Sequence, residues 1–230
     1  MKYKKNVYYY FILSIVAVFF IIILSLFEPV ETKYFGIYDK YFVAVFIILV
    51  YILGLSLAIY PRWYKKSKRV INKKKQVEKI IRNRKGHHPD CEQFKNHILK
   101  FKNKTFCAGC FGLAIGSIVS ISLILIYLLT SVNFTAFYPL VLIIGFIFVF
   151  QIYLEIIISK RNSIVHMFSN VLHVTGFLII AISILEITNS VPYTIIAILF
   201  SFLFFNTRVQ LSLYNHNLVC KKCKYDCKMY

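Results

Sequence analysis

Between Lys104 and Glu155 the chain runs for 50 residues without a formal charge. That stretch is enough for two membrane crossings, since one helix needs about 20 apolar residues to cross roughly 30 Å of hydrocarbon. Similar gaps recur: 22 residues between Lys5 and Glu28, 21 between Lys40 and Arg62, 24 between Arg161 and Glu186, and 21 between Glu186 and Arg208. The polar group Ser131-Val132-Asn133-Phe134-Thr135 supplies a turn inside the longest gap. Six spans follow, near 7–27, 41–60, 109–130, 137–158, 164–186 and 190–207. Their Ile, Val and Phe content suits strands, but buried strands run only about 4–8 residues, so length decides for helices. An open sheet would also leave backbone groups unpaired in lipid.

Composition agrees. Hydrophobic residues make up 59% of the 230 and charged residues 16%, against about 25% in an ordinary soluble domain. The N-terminal Met1-Lys2-Tyr3-Lys4-Lys5 is like a signal peptide's basic start, but the apolar run is too long and lacks a small-residue cleavage site. It reads as an uncleaved first helix.

The net charge of +19 looks like a nucleic-acid or membrane-surface signal until it is mapped. With the N-terminus in the cytoplasm, inner segments carry 26 of the 28 basic residues, and only Lys33 and Lys40 fall outside. This is the positive-inside pattern, and it puts both termini in the cytoplasm. Trp63 and Tyr64 suit an interfacial anchor.

The expected architecture is therefore all-α and polytopic, with six transmembrane helices and a small cytosolic zinc-knuckle-like hairpin. It divides into a two-helix unit (1–61), a cytosolic basic segment with a Cys/His hairpin (62–106), a four-helix unit (107–207) and a Cys-rich cytosolic tail (208–230). Within the basic segment Val70, Val77, Ile80 and Ile81 make a narrow apolar face on a cationic helix. Such a helix lies on the bilayer, with anionic inner-leaflet lipids as partners. Few aromatics interleave with the lysines, so no nucleic acid is expected. Homo-oligomerisation stays open.

All 6 cysteines fall on the cytoplasmic side of this topology, where thiols are kept reduced. Metal binding then takes precedence over disulfides. Cys91, Cys107 and Cys110 have His87, His88 and His97 nearby, with His88 or His87 favoured as a fourth ligand and His97 expected to face solvent. Apolar and basic residues alternate from His97, which suggests a hairpin turning at Lys102-Asn103. In the tail, His216, Cys220, Cys223 and Cys227 form a second set. Two residues between cysteines let both thiolates reach one tetrahedral ion. One or two zinc ions are expected, and a single all-cysteine site joining Cys107, Cys110, Cys220 and Cys223 is the alternative. A redox dithiol at Cys107 and Cys110 is a further reading. No βαβ pattern supports a thioredoxin-like fold, and Phe111 after Cys110 excludes the haem-attachment motif.

His87-His88-Pro89-Asp90-Cys91, then Cys107-Ala108-Gly109-Cys110-Phe111-Gly112-Leu113, resembles a family of small prokaryotic polytopic membrane proteins of unknown function. Those carry a Cys/His pair, a hairpin and a C-A-x-C-x-G motif opening a helix. Ser169-Asn170-Val171-Leu172-His173-Val174-Thr175-Gly176 is similar to a later S-N-x-L-x-x-x-T-G stretch, with one residue fewer before Thr175. Most members place Arg between the two cysteines or Thr after them, where this chain has Gly109 and Phe111. The resemblance implies a polytopic protein with a thiol/His site and no assigned reaction.

Ionisable groups inside spans are functional candidates. Gln151 and Glu155 share one face of the fourth span, and His166, Asn170 and His173 share one face of the fifth. Counting from the Lys160-Arg161 joint at about 1.5 Å per residue sets Glu155 level with His166 and Gln151 level with Asn170, with His173 deeper. Three functions follow: a non-enzymatic membrane protein with structural zinc, a transporter or channel-like protein using this polar seam, or a thiol-redox or metal-dependent membrane enzyme. No serine-nucleophile motif, phosphate loop or H-E-x-x-H supports the last.

Overall fold

A computed structural model describes residues 2–26, 36–60, 96–102, 104–130, 137–158 and 162–221. Among them are six helices and one strand pair: α1 (Lys2–Leu26), α2 (Ile37–Ile59), β1 (Ile98–Phe101), β2 (Lys104–Cys107), α3 (Ala108–Leu129), α4 (Tyr138–Ile157), α5 (Ser163–Thr188) and α6 (Val191–Lys221). All six helices are long and apolar enough to cross a membrane. The basic amphipathic segment, with Val70, Val77, Ile80 and Ile81, lies outside the described residues, as do Trp63 and Tyr64.

Local chemistry sets the helix ends. Pro139 sits in the first turn of α4, where its missing N–H is one the helix would leave unpaired anyway. The Asn162 side chain caps α5 by accepting from the Ile164 amide at 2.9 Å. Asn189 ends α5 in the left-handed region at φ 47°, a conformation Asn tolerates better than most residues. Ser190 alone then separates it from α6.

The centre of the bundle is α5. It packs against α3 and α4, while α1 lies on α6 and α2 on α3. One apolar cluster joins Val43, Ile47 and Tyr51 of α2 to Ile124, Val174, Leu178 and Ile198. A second joins Ala17 and Ile21 of α1 to Leu142, Val149, Ile180, Ile184 and Phe204. Small residues let the backbones close up. A Cβ on Gly112 would stand 2.3 Å from the Met167 carbonyl oxygen, and one on Gly116 2.9 Å from the Val174 Cβ. A Cβ on Gly176 would likewise meet α4, 2.9 Å from the Gly145 carbonyl oxygen. With lipid as apolar as the side chains, such close packing substitutes for the hydrophobic drive between helices.

Hydrogen bonds between helices fix their rotation. The Ser14 and Thr207 hydroxyls meet at 2.7 Å. Tyr51 donates to the Val174 carbonyl at 3.0 Å, and Tyr153 to that of Phe204 at 2.7 Å. At the end of the bundle away from the hairpin, Lys40 pairs with Glu186 at 2.7 Å, and Tyr127 also donates to that carboxylate.

α1 and α2 begin a turn or so before the expected 7 and 41, and the sixth span differs most. The sixth span does not stop at residue 207; α6 continues through Arg208 to Lys221. Leu211 extends the buried face one turn further, and Arg208 turns inward rather than marking a water boundary.

Substituting Gly112→Ala is expected to cost about 1–3 kcal/mol, because a backbone carbonyl blocks the added methyl. Gly54→Ala, whose Cβ would sit an ordinary 3.7 Å from Ser117 Oγ, should change stability by less than about 0.5 kcal/mol. Unfolding midpoints of the two variants in the same detergent check the contrast.

Candidate functional site

The hairpin delivers the first cysteine pair. Its register sets Ile98 opposite Cys107 and Phe101 opposite Lys104, with Lys102 at φ 51° in the turn. Extended backbone at Cys107 then caps α3. Cys107 is buried, and the helix brings half-buried Cys110 back one turn later. Neither is in a disulfide.

Three histidines gather at this end of the bundle. The His97 ring lies edge-on to that of His166 at 5.8 Å and to that of His216 at 5.4 Å, measured between ring centres. His97 is only 4% exposed, which corrects the expectation that it faces solvent. It precedes β1 in a short 3-10 turn, so strand alternation does not govern its direction. His216 belongs to α6, whose contact with α4 is secured when Asn215 donates to the Ile156 carbonyl at 2.9 Å.

The polar groups of α4 and α5 lie directly beneath. His166 Nδ1–H donates to Glu155 Oε2 at 2.7 Å. Gln151 donates to the Ser169 carbonyl at 2.7 Å, one residue short of the Asn170 that helical counting sets level with it. Asn170, fully buried, donates to the His166 carbonyl at 2.6 Å and accepts from Arg208 Nη2. Deeper still, His173 Nδ1–H donates to the Val149 carbonyl at 2.9 Å, and its ring packs on Phe177 and Tyr153. Half-buried Gln151 and Glu155 of α4 thus each bridge to α5, on which His166, Asn170 and His173 are buried.

Arg208 is the member that sequence reasoning missed. It is 8% exposed, and its guanidinium lies over the first turn of α3. A Cβ on Gly109 would stand 3.0 Å from its Nη2 and 3.3 Å from His166 Nε2. Glycine between the two cysteines therefore lets α6 and α5 close onto the α3 N-terminus. Within this polar set, the buried atoms Glu155 Oε1, Arg208 Nε and His173 Nε2 have no hydrogen-bond partner among the described residues.

Among the described residues no group of three or more His, Cys, Asp or Glu stands close enough to hold a metal ion. Two of the nine metal candidates, Cys107 and Cys110, are together, and His216 reaches the same end of the bundle. His87, His88, Cys91, Cys223 and Cys227 lie outside the described residues, and so does the side chain of Cys220. The donor set that is described, two adjacent thiols with imidazoles nearby, is one that suits zinc chemically.

No protein-family model matches this chain, and comparisons with curated proteins and with solved structures find no match.

Proposed function

We propose that this is a multi-pass membrane protein, with both termini in the cytoplasm, whose hairpin end is held together by structural zinc. The placement of buried Cys107 and half-buried Cys110 one helical turn apart at the junction of hairpin and helix carries the reading. The ion takes those two thiolates and further ligands from His87, His88 and Cys91. The tail set His216, Cys220, Cys223 and Cys227 either completes this site or binds a second ion. A strand pair this short cannot bury a core of its own, so metal-binding energy would serve as folding energy there.

Transport through the seam is the second reading. It is favoured by Glu155 Oε1, Arg208 Nε and His173 Nε2, buried polar atoms contributed by three different helices. Such atoms ordinarily have water or an ion as partner.

Protein purified in detergent should contain about one or two zinc ions per chain. Cys107→Ser with Cys110→Ser should release at least one of them, as read by elemental analysis. Wild-type protein free of zinc and of other thiophilic metals would rule the reading out. For orientation, a membrane-impermeant maleimide added to metal-stripped inverted vesicles should label the tail cysteines, and the same reagent outside intact cells should not. In liposomes, Glu155→Ala and His173→Ala should abolish any proton or ion flux the wild type supports; flux unchanged in both variants removes the transport reading.

A further inference from the structure

A zinc ion at the head of α3 needs ligands beyond the two thiols there, whereas a disulfide needs only those two. Cys107 is the last residue of β2 and the cap of α3, and Cys110 lies in the first turn of that helix. Side chains three residues apart on a regular helix stand about 5–6 Å apart at Cβ, against roughly 3.8 Å in a disulfide. Cys107 is not held to helical geometry. Its backbone is extended, at φ −70° and ψ 121°, so a small rotation of this one residue can close the gap without unwinding α3.

The two thiols are unequally placed. Cys107 is 4% exposed, and Cys110 is half-buried. Attack on a disulfide depends on access to the attacking sulfur, so a soluble reagent meets Cys110 first. Cys107 then stands one turn away as the second thiol. On the cytoplasmic side, where the proposed topology puts this pair, disulfides are transient and serve catalysis or redox sensing.

We propose that Cys107 and Cys110 form a reversible dithiol–disulfide site whose substrate is a low-molecular-weight disulfide of the glutathione class. Cys110, having released its proton to water, attacks one sulfur of the incoming disulfide. That S–S bond breaks, a mixed disulfide forms on Cys110, and one thiolate leaves. Cys107, likewise deprotonated, attacks the Cys110 sulfur, forming the Cys107–Cys110 bond and expelling the second thiolate. The two departing thiolates take up the two protons. Two electrons pass from the protein dithiol to the incoming disulfide, and an excess of reducing thiol runs the same steps backwards. Zinc held on the same pair competes with this cycle and is not required for it.

The test uses full-length protein in detergent, reduced and stripped of metal with a chelator, then exposed to oxidised glutathione. Alkylation and peptide mass mapping locate the modified cysteines. Wild type should lose two hydrogens between Cys107 and Cys110, release two glutathione thiols per chain, and return to the dithiol with dithiothreitol. Cys107→Ser should stop at the first step, with glutathione retained on Cys110. In Cys110→Ser, Cys107 should react at least about tenfold more slowly than Cys110 does in Cys107→Ser, because burial denies the reagent access. The proposal is overturned if glutathione stays on Cys110 in wild type, if Cys107 pairs with any other cysteine, if neither thiol reacts, or if the two single variants react equally fast. The wild-type map needs no substitution, so it decides the matter even where a variant fails to fold. Zinc content is read on the untreated protein. A metal-free wild type that closes the bond removes the zinc reading alone, and a zinc-loaded one whose stripped pair does not close removes this proposal alone.

Discussion

Two backbones pass each other at Gly112, where the Met167 carbonyl occupies the space a side chain would take. The rest of the bundle depends on that approach. Gly116 on α3 and the Gly145–Gly176 contact on α4 hold α5 equally close on either side. Because α5 is gripped from both flanks, its polar face, His166, Asn170 and His173, is forced to find partners inside the protein rather than in lipid. Glu155, Arg208 and the Val149 carbonyl are those partners. An interhelical hydrogen bond in a membrane is worth only about 0.6 kcal/mol, so these contacts specify rotation and depth more than they add stability.

Most of the architecture was legible because its two governing signals are local. Charge-free runs are counted along the chain, and the hairpin shows itself in the alternation from Ile98 to Phe106 and the turn at Lys102. The pairing of Glu155 with His166 was legible too, since a short joint makes α4 and α5 antiparallel neighbours and helical rise does the rest. The register of Gln151 was not, because it follows from how α4 and α5 settle around Gly145 and Gly176 rather than from rise alone.

Arg208 and His97 escaped for different reasons. A charge after 21 uncharged residues reads as the end of a span, and its partner Asn170 sits on another helix at a separation no periodicity reveals. The continuing apolar position Leu211 was the available sign that the helix goes on. His97 lies one residue before the strand, so the inward or outward parity of β1 says nothing about it. Neither residue is intelligible without α3, whose capped N-terminus at Cys107 is where hairpin, α5 and α6 come together.

The contact of Arg208 with Gly109 has a consequence for inheritance. A side chain at 109 and a long cation at 208 compete for one volume, so a descendant sequence can furnish a guanidinium to this place from α3 or from α6, but not from both. Lengthening residue 109 requires shortening or redirecting residue 208 at the same time. Residues 109 and 208, far apart in the chain, are therefore sterically coupled, and a larger side chain at 109 alone would overfill the space beside the guanidinium.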